Sequence, residues 1–214
     1  MKGKNFINRK PKNKRKPSDF YETPYCLTRE LINTGVLEGC KTILDPCCGL
    51  HAISSQLEQA GFEVTAKDLI FGDDFLQSEP SHYDAIVMNP PFSRWDDFIF
   101  EAKKHTEKII ALGKLDFFGA QSRYTNHIWK GLKDVYIFTR KVDYQFPIDS
   151  SGNAGVGMLV TGWFVFEAGY FEAPRLHLMD INKYCTLGNY ADFLANNPDS
   201  TQQVLEAAKK KKLL

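Results

Sequence analysis

The sequence has no run of about eighteen apolar residues, so nothing in it reads as a membrane-spanning helix. Its basic N-terminus lacks an apolar core segment, so no secretory signal is expected there. No C-x-x-C and no H-x-x-x-H pair occurs, so the five cysteines and five histidines offer no metal site at useful spacing. There is no G-x-S-x-G elbow for a serine nucleophile and no glycine-rich loop ending in Lys-Ser/Thr for gripping phosphate. No internal repeat is visible. The cysteines are odd in number, with two adjacent at Cys47-Cys48, and do not read as a disulfide framework. A reducing cytosol suits them better, so a cytoplasmic protein is expected. What remains is a chain of 214 residues, 43% apolar, which fits one soluble domain with a sizeable core.

Charge is nearly balanced overall, at +1, but unevenly placed. Residues 1–17 carry eight basic side chains and no acidic one, and Lys209 to Lys212 add four more. Setting these aside leaves 15 basic residues against 26 acidic ones, an acidic body with basic ends. Such ends suit a polyanion such as nucleic acid, although lysine-rich ends also serve solubility alone. Residues 1–17 hold almost nothing apolar and are expected to be a disordered arm. The ordered domain is expected over 18–190, with a helical, basic tail over 191–214.

Along the domain, strand-like and helix-like stretches alternate. Thr23 can cap a helix that has Pro24 at its first position and runs to Gly35. Lys41 to Asp45 reads as a short buried strand, Leu50 to Ala60 as a helix, and Phe62 to Lys67 as a strand. Tyr83 to Met88 is a central strand and Trp95 to Thr106 a helix. Lys108 to Leu112 reads as a strand, Phe117 to Leu132 as an amphipathic helix, and Val135 to Phe138 as a strand. Gly157 to Glu167 is long and β-rich, the expected last strand of the sheet. Residues 170–190 give no clear element. The alternation predicts a Rossmann-like, doubly wound α/β sheet of parallel type, with helices on both faces.

Chemistry gathers in the loops after the strands, where such sheets bind ligands. The central strand ends in Asn89-Pro90-Pro91-Phe92. Proline removes a backbone donor and fixes φ, so the carbonyls beside Pro90 and Pro91 are rigidly aimed. Asn89 adds an amide acceptor and Phe92 a flat face. Together they suit a planar substrate bearing an NH2 group. After the first strand comes Asp45-Pro46-Cys47-Cys48-Gly49, where Gly49 lets the backbone approach a ligand closely. Asp68 follows the second strand, placed to accept from a ribose diol. Asp74-Phe75 pairs a carboxylate with a ring, suited to an adenine amine and face. Each acid also has a plain structural role open to it, as a turn cap or a solvated strand end. Cys47 and Cys48 read best as small buried turn residues. Arg94, Arg123 and Tyr124 could meet a phosphate or simply be solvated.

The order Phe20-x-x-Thr23-Pro24, Asp45-Pro46-Cys47-Cys48-Gly49, Asp68, Asp74-Phe75 and Asn89-Pro90-Pro91-Phe92 resembles S-adenosylmethionine-dependent amino methyltransferases. The likeness is greatest to N6-adenine DNA methyltransferases, including small phage-type ones, and spans about residues 18 to 167. The resemblance implies a class I methyltransferase sheet with S-adenosylmethionine as cofactor. On these positions Phe20, Thr23 and Pro24 would pack on the methionine end, and Asp45 and Gly49 would border the amino-acid moiety. Asp68 would hold the ribose, and Asp74 with Phe75 the adenine. Cys47 and Leu69, in the same loops, belong to the same cofactor-binding set. Asn89 and the Pro90 carbonyl would accept the target amino hydrogens, next to Pro91, with Phe92 stacking on the base. No metal is expected.

Two departures stand out. His51 occupies a place where the family often has a second glycine, which bears on the seating of the loop and on cofactor affinity. No long insertion for reading a DNA sequence is visible, so specificity is either relaxed or supplied by a protein partner. DNA methylation at N6 of adenine is the expected function. The same chemistry on RNA (N6 of adenine or N2 of guanine), on a protein glutamine, or a binding subunit that no longer catalyses are the alternatives.

Overall fold

The structure, a computed structural model, describes residues 23–142 and 159–181. The expected basic arm, the C-terminal tail and Phe20 lie outside the described residues. Seven strands are β1 (Thr42–Asp45), β2 (Glu63–Ala66), β3 (Ala85–Met88), β4 (Lys108–Lys114), β5 (Leu132–Phe138), β6 (Thr161–Glu167) and β7 (Arg175–Met179). The helices are α1 (Tyr25–Asn33), α2 (Ala52–Gln59), α3 (Trp95–Ala102) and the short α4 (Gln121–Thr125).

Side chains alternate across a strand, so each central strand feeds two cores. Ala85 and Val87 of β3, Ile110 and Leu112 of β4, and Trp163 and Val165 of β6 face Leu27 and Leu31 of α1 and Ile53 and Leu57 of α2. Ile86 and Met88, Ile109 and Ala111, and Phe164 and Phe166 face Trp95, Phe98 and Ile99 of α3. Both faces being covered explains why β3 is apolar at every position. The two fully buried indoles find acceptors: Trp95 Nε1 donates to the Leu112 carbonyl at 2.8 Å and Trp163 Nε1 to that of Leu27 at 3.0 Å.

The sheet runs β2-β1-β3-β4-β6-β5-β7. The first four strands in that order are mutually parallel. From β1 the chain steps to β2 on one side and then returns to β3 on the other. The crevice at the C-terminal ends of β1 and β3 is therefore a switch point of the topology, where open α/β sheets take ligands.

The structure departs from the expected elements in four places. The sheet is not parallel throughout: β6 runs antiparallel to both β4 and β5. A further strand, β7, forms where no element was expected and pairs in parallel with β5. The expected helix over 117–132 is instead a 3-10 turn at Leu115–Gly119 followed by α4. Left-handed backbone at His127 and Gly131 breaks the rest of that segment into turns. At the start of α1, Pro24 and not Thr23 is the capping residue, and no side chain caps the helix. The Thr23 hydroxyl is engaged elsewhere, as described below. Among the cysteines, Cys40, Cys47 and Cys48 are free thiols while Cys26 is disulfide-bonded, which composition did not foresee.

No helix among the described residues is long and apolar enough to cross a membrane.

Candidate active site

Three loops converge at the switch point because backbone bonds tie them together. Lys67 N–H donates to the Asp45 carbonyl and Cys48 N–H to that of Lys67, both at 2.9 Å, extending the β1–β2 pairing past the strands. Asp68 completes the tie. One carboxylate oxygen accepts from Gly49 N–H at 2.9 Å, and the other accepts from Ile70 N–H, capping the 3-10 turn Leu69–Phe71. Asp45 ends β1 fully buried.

Cys47 marks the point of convergence. Burial pushes its thiol pKa well up, and the nearby Asp45 and Asp68 carboxylates push it further; only the hydrogen bond from the Asn89 backbone amide acts the other way. The thiol therefore stays protonated. It is a neutral neighbour to the acids around it, not a nucleophile.

Asn89 follows β3 directly, and its amide is held from afar. Nδ2 donates to the Thr23 hydroxyl at 3.0 Å, across 66 residues of sequence. That bond orients the amide plane, with its nitrogen end toward the α1 entry and Oδ1 as the acceptor end of the group. This is what draws Thr23 off the helix cap. Pro90 is buried, and the Pro91 carbonyl accepts from Arg94 N–H at 2.9 Å, closing the turn into α3.

Phe92 is half-buried, its ring meeting Phe117 edge-on with centroids 5.9 Å apart. Cations surround this aromatic pair. Lys114 Nζ lies 5.2 Å from the Phe92 ring centre, and the Arg123 guanidinium 4.0 Å from that of Phe117. Arg123 also donates to Asp96 at 2.6 Å, and Arg94 to Asp97 at 3.0 Å.

On the β2 side the acids act first on their own backbone. Asp74 accepts from Leu76 N–H and from the Gln77 amide, and so caps a second 3-10 turn. The Phe75 ring is only 3% exposed and packs against Phe98 and His105, with its face toward the core. Leu69, 58% exposed, presents an apolar side chain there. His51 adopts the left-handed backbone, φ 64°, that a glycine would take without cost. Its ring stacks on Phe71 at 6.0 Å, bridging the β1 loop to the turn after Asp68.

The structure thus gathers Asp45, Cys47, Gly49, Asp68 and Asn89 at the switch point, with Thr23 beside Asn89. Sequence reasoning missed Lys114, the Thr23–Asn89 bond and the His51–Phe71 stack. A cation at the end of a strand, three residues before a ring, was the only local signal for the first. A cavity of about 320 Å3, lined by Phe118, Trp129, Tyr170 and Phe171 among others, includes none of the expected site residues. Among the described residues no cluster of His, Cys, Asp or Glu could hold a metal ion.

Comparison with solved structures agrees with this architecture. A candidate class I S-adenosylmethionine-dependent methyltransferase of Listeria monocytogenes superposes with a TM-score of 0.50 at 12% identity, covering 91% of this chain and 74% of that one. The fold is that of class I S-adenosylmethionine-dependent methyltransferases. A candidate RNA methyltransferase of Pyrococcus horikoshii matches with a TM-score of 0.48 at 15% identity, over 73% of this chain and 90% of that one. The modification subunit of a candidate type I restriction enzyme of Vibrio vulnificus matches at 0.46 and 11%, over 76% of this chain and 47% of that one. No protein-family profile and no curated protein sequence matches the chain.

Proposed function

We propose that the chain is an S-adenosylmethionine-dependent methyltransferase acting on the exocyclic N6 amine of adenine in DNA. The observation that carries this reading is Asn89, whose amide is locked by Thr23 at the switch point of the sheet, directly before Pro90, Pro91 and Phe92.

The residues present fit the cofactor. Asp68 is anchored through backbone N–H bonds to both oxygens, and a carboxylate has about four acceptor positions, so a ribose diol can be received on the same group. Leu69 offers an apolar face for adenine, supported from the core by Phe75. Asp45 and Gly49 would border the charged amino-acid end, with Thr23 and Pro24 closing the methionine side. When bound, the cofactor supplies an electrophilic methyl group on a sulfonium sulfur.

The chain's own work is on the amine. An exocyclic aromatic amine is a poor nucleophile because its lone pair is delocalised into the ring. Asn89 Oδ1 and the Pro90 carbonyl accept its two hydrogens, which draws density back to nitrogen and favours a more tetrahedral geometry. The rigid turn holds that nitrogen in line for transfer, an effect of position more than of acid–base chemistry. A base taken from a duplex must leave its stack, and Phe92 offers a ring face in compensation. The inert Cys47 needs no part in this.

The test is parallel transfer of labelled methyl to unmethylated duplex DNA, RNA and protein, with digestion of the product. N6-methyldeoxyadenosine supports the reading. Label confined to RNA, or to glutamine side chains, keeps the chemistry and replaces the substrate.

A further inference from the structure

Three cations stand around the Asn89–Phe92 turn, and they are not equivalent. Arg94 is paired with Asp97 and Arg123 with Asp96, both carboxylates of α3. Lys114 makes no ion pair among the described residues, Asp116 two positions on included. Its ammonium is instead held over aromatic rings, 5.2 Å from the centre of Phe92 and 5.8 Å from that of Phe117. The fold brings it there by register. Met88 of β3 lies opposite Ala111 of β4, so Lys114 projects three residues past the last paired position, level with the turn that follows β3.

A ring face is a weak counter-charge for an ammonium. We propose that Lys114 is a phosphodiester-binding residue, taking the backbone phosphate next to the base received on Phe92. In a nucleotide one sugar separates base from phosphate, matching the closeness of the ring and the ammonium here. A base stacking on Phe92 displaces the cation from that face, and the flexible lysine stem carries it to the anion that arrives with the base. A cation–π contact is thereby exchanged for a charge-assisted hydrogen bond. The paired Arg94 and Arg123 would each first have to leave a carboxylate. The proposal rests on the reading of Asn89–Phe92 as an amine-accepting site and commits that site to nucleic acid over a protein amide.

The test is binding of the full chain to fluorescein-labelled single-stranded DNA and RNA oligonucleotides containing adenine, by anisotropy across a potassium chloride series. One phosphate contact fewer flattens the slope of log affinity against log salt by about 0.7 on a single strand. Lys114→Met is expected to show that flattening, with affinity several-fold weaker at low salt and converging on wild type at high salt. Lys114→Arg is expected to keep the wild-type slope. The arm showing the change, DNA or RNA, names the source of the phosphate. An unchanged slope in Lys114→Met overturns the proposal, because loss of a merely structural ring contact would lower affinity without altering the salt dependence. Methyl transfer to nucleic acid by the wild type alongside that result would leave the functional reading standing. Transfer to protein alone, or no binding of either oligonucleotide, would remove both.

Discussion

At the scale of single residues, the proposed reaction turns on one amide. Asn89→Ala removes the acceptor proposed for the reacting nitrogen, and such groups are worth about 100- to 1,000-fold in rate. Turnover is expected to fall by at least that much while calorimetric binding of S-adenosylmethionine is retained; lost binding with retained turnover would reverse the assignment. Thr23→Val keeps the shape but removes the partner of Asn89 Nδ2. It is expected to lower kcat by about tenfold with a smaller change in KM, since a misplaced group costs rate more than affinity. The Asn-Pro-Pro-Phe turn was legible in sequence because strand, amide, prolines and ring are contiguous. The Thr23–Asn89 bond was not, because nothing local marks a contact across 66 residues. The packing of Phe75 on Phe98 and His105 was not legible for the same reason: adjacency to Asp74 says nothing about which way the ring turns.

At the scale of elements, the parallel strands were readable as short apolar runs closed by turn residues. β6 was readable as a long β-rich run, but its antiparallel pairing was not, and neither was the edge strand β7, since pairing partners so far apart leave no periodic trace. Gly162 shows how tight the β5–β6 pair is: a Cβ there would meet the Tyr136 carbonyl well inside contact distance. Gly162→Ala is therefore expected to lower stability by about 1–3 kcal/mol, read as a lower urea midpoint. The β5–β7 pair is fastened through Asp134, which accepts from Arg175 twice at 2.8 Å and meets His177 at 2.7 Å. Burial alone would raise the Asp134 carboxyl, but the bonds from Arg175 and His177 prevail and hold it below the usual carboxylate range. A carboxyl depressed in the folded state stabilises above its unfolded value, near 3.9, and that contribution is lost as pH falls through the folded one. Asp134→Asn is expected to flatten the fall of the urea midpoint below about pH 4, relative to wild type.

At the scale of the whole molecule, the proposed activity requires an acidic body of 15 basic and 26 acidic residues to approach a polyanion. The eight basic residues within 1–17 are the obvious means, and removing that segment is expected to weaken nucleic-acid binding evenly across sequences and to reduce its salt dependence. Fold class was legible from the alternation of strand and helix, and the switch point then marked the place of the candidate site. Substrate was not, because a turn suited to accepting an NH2 does not read the sugar behind it. Everything downstream depends on the cofactor. The most direct measurement is therefore equilibrium dialysis of the full chain against labelled S-adenosylmethionine. Saturable binding of one equivalent is expected, displaced by S-adenosylhomocysteine and weakened by Asp68→Ala. No binding at millimolar cofactor would contradict the proposed activity.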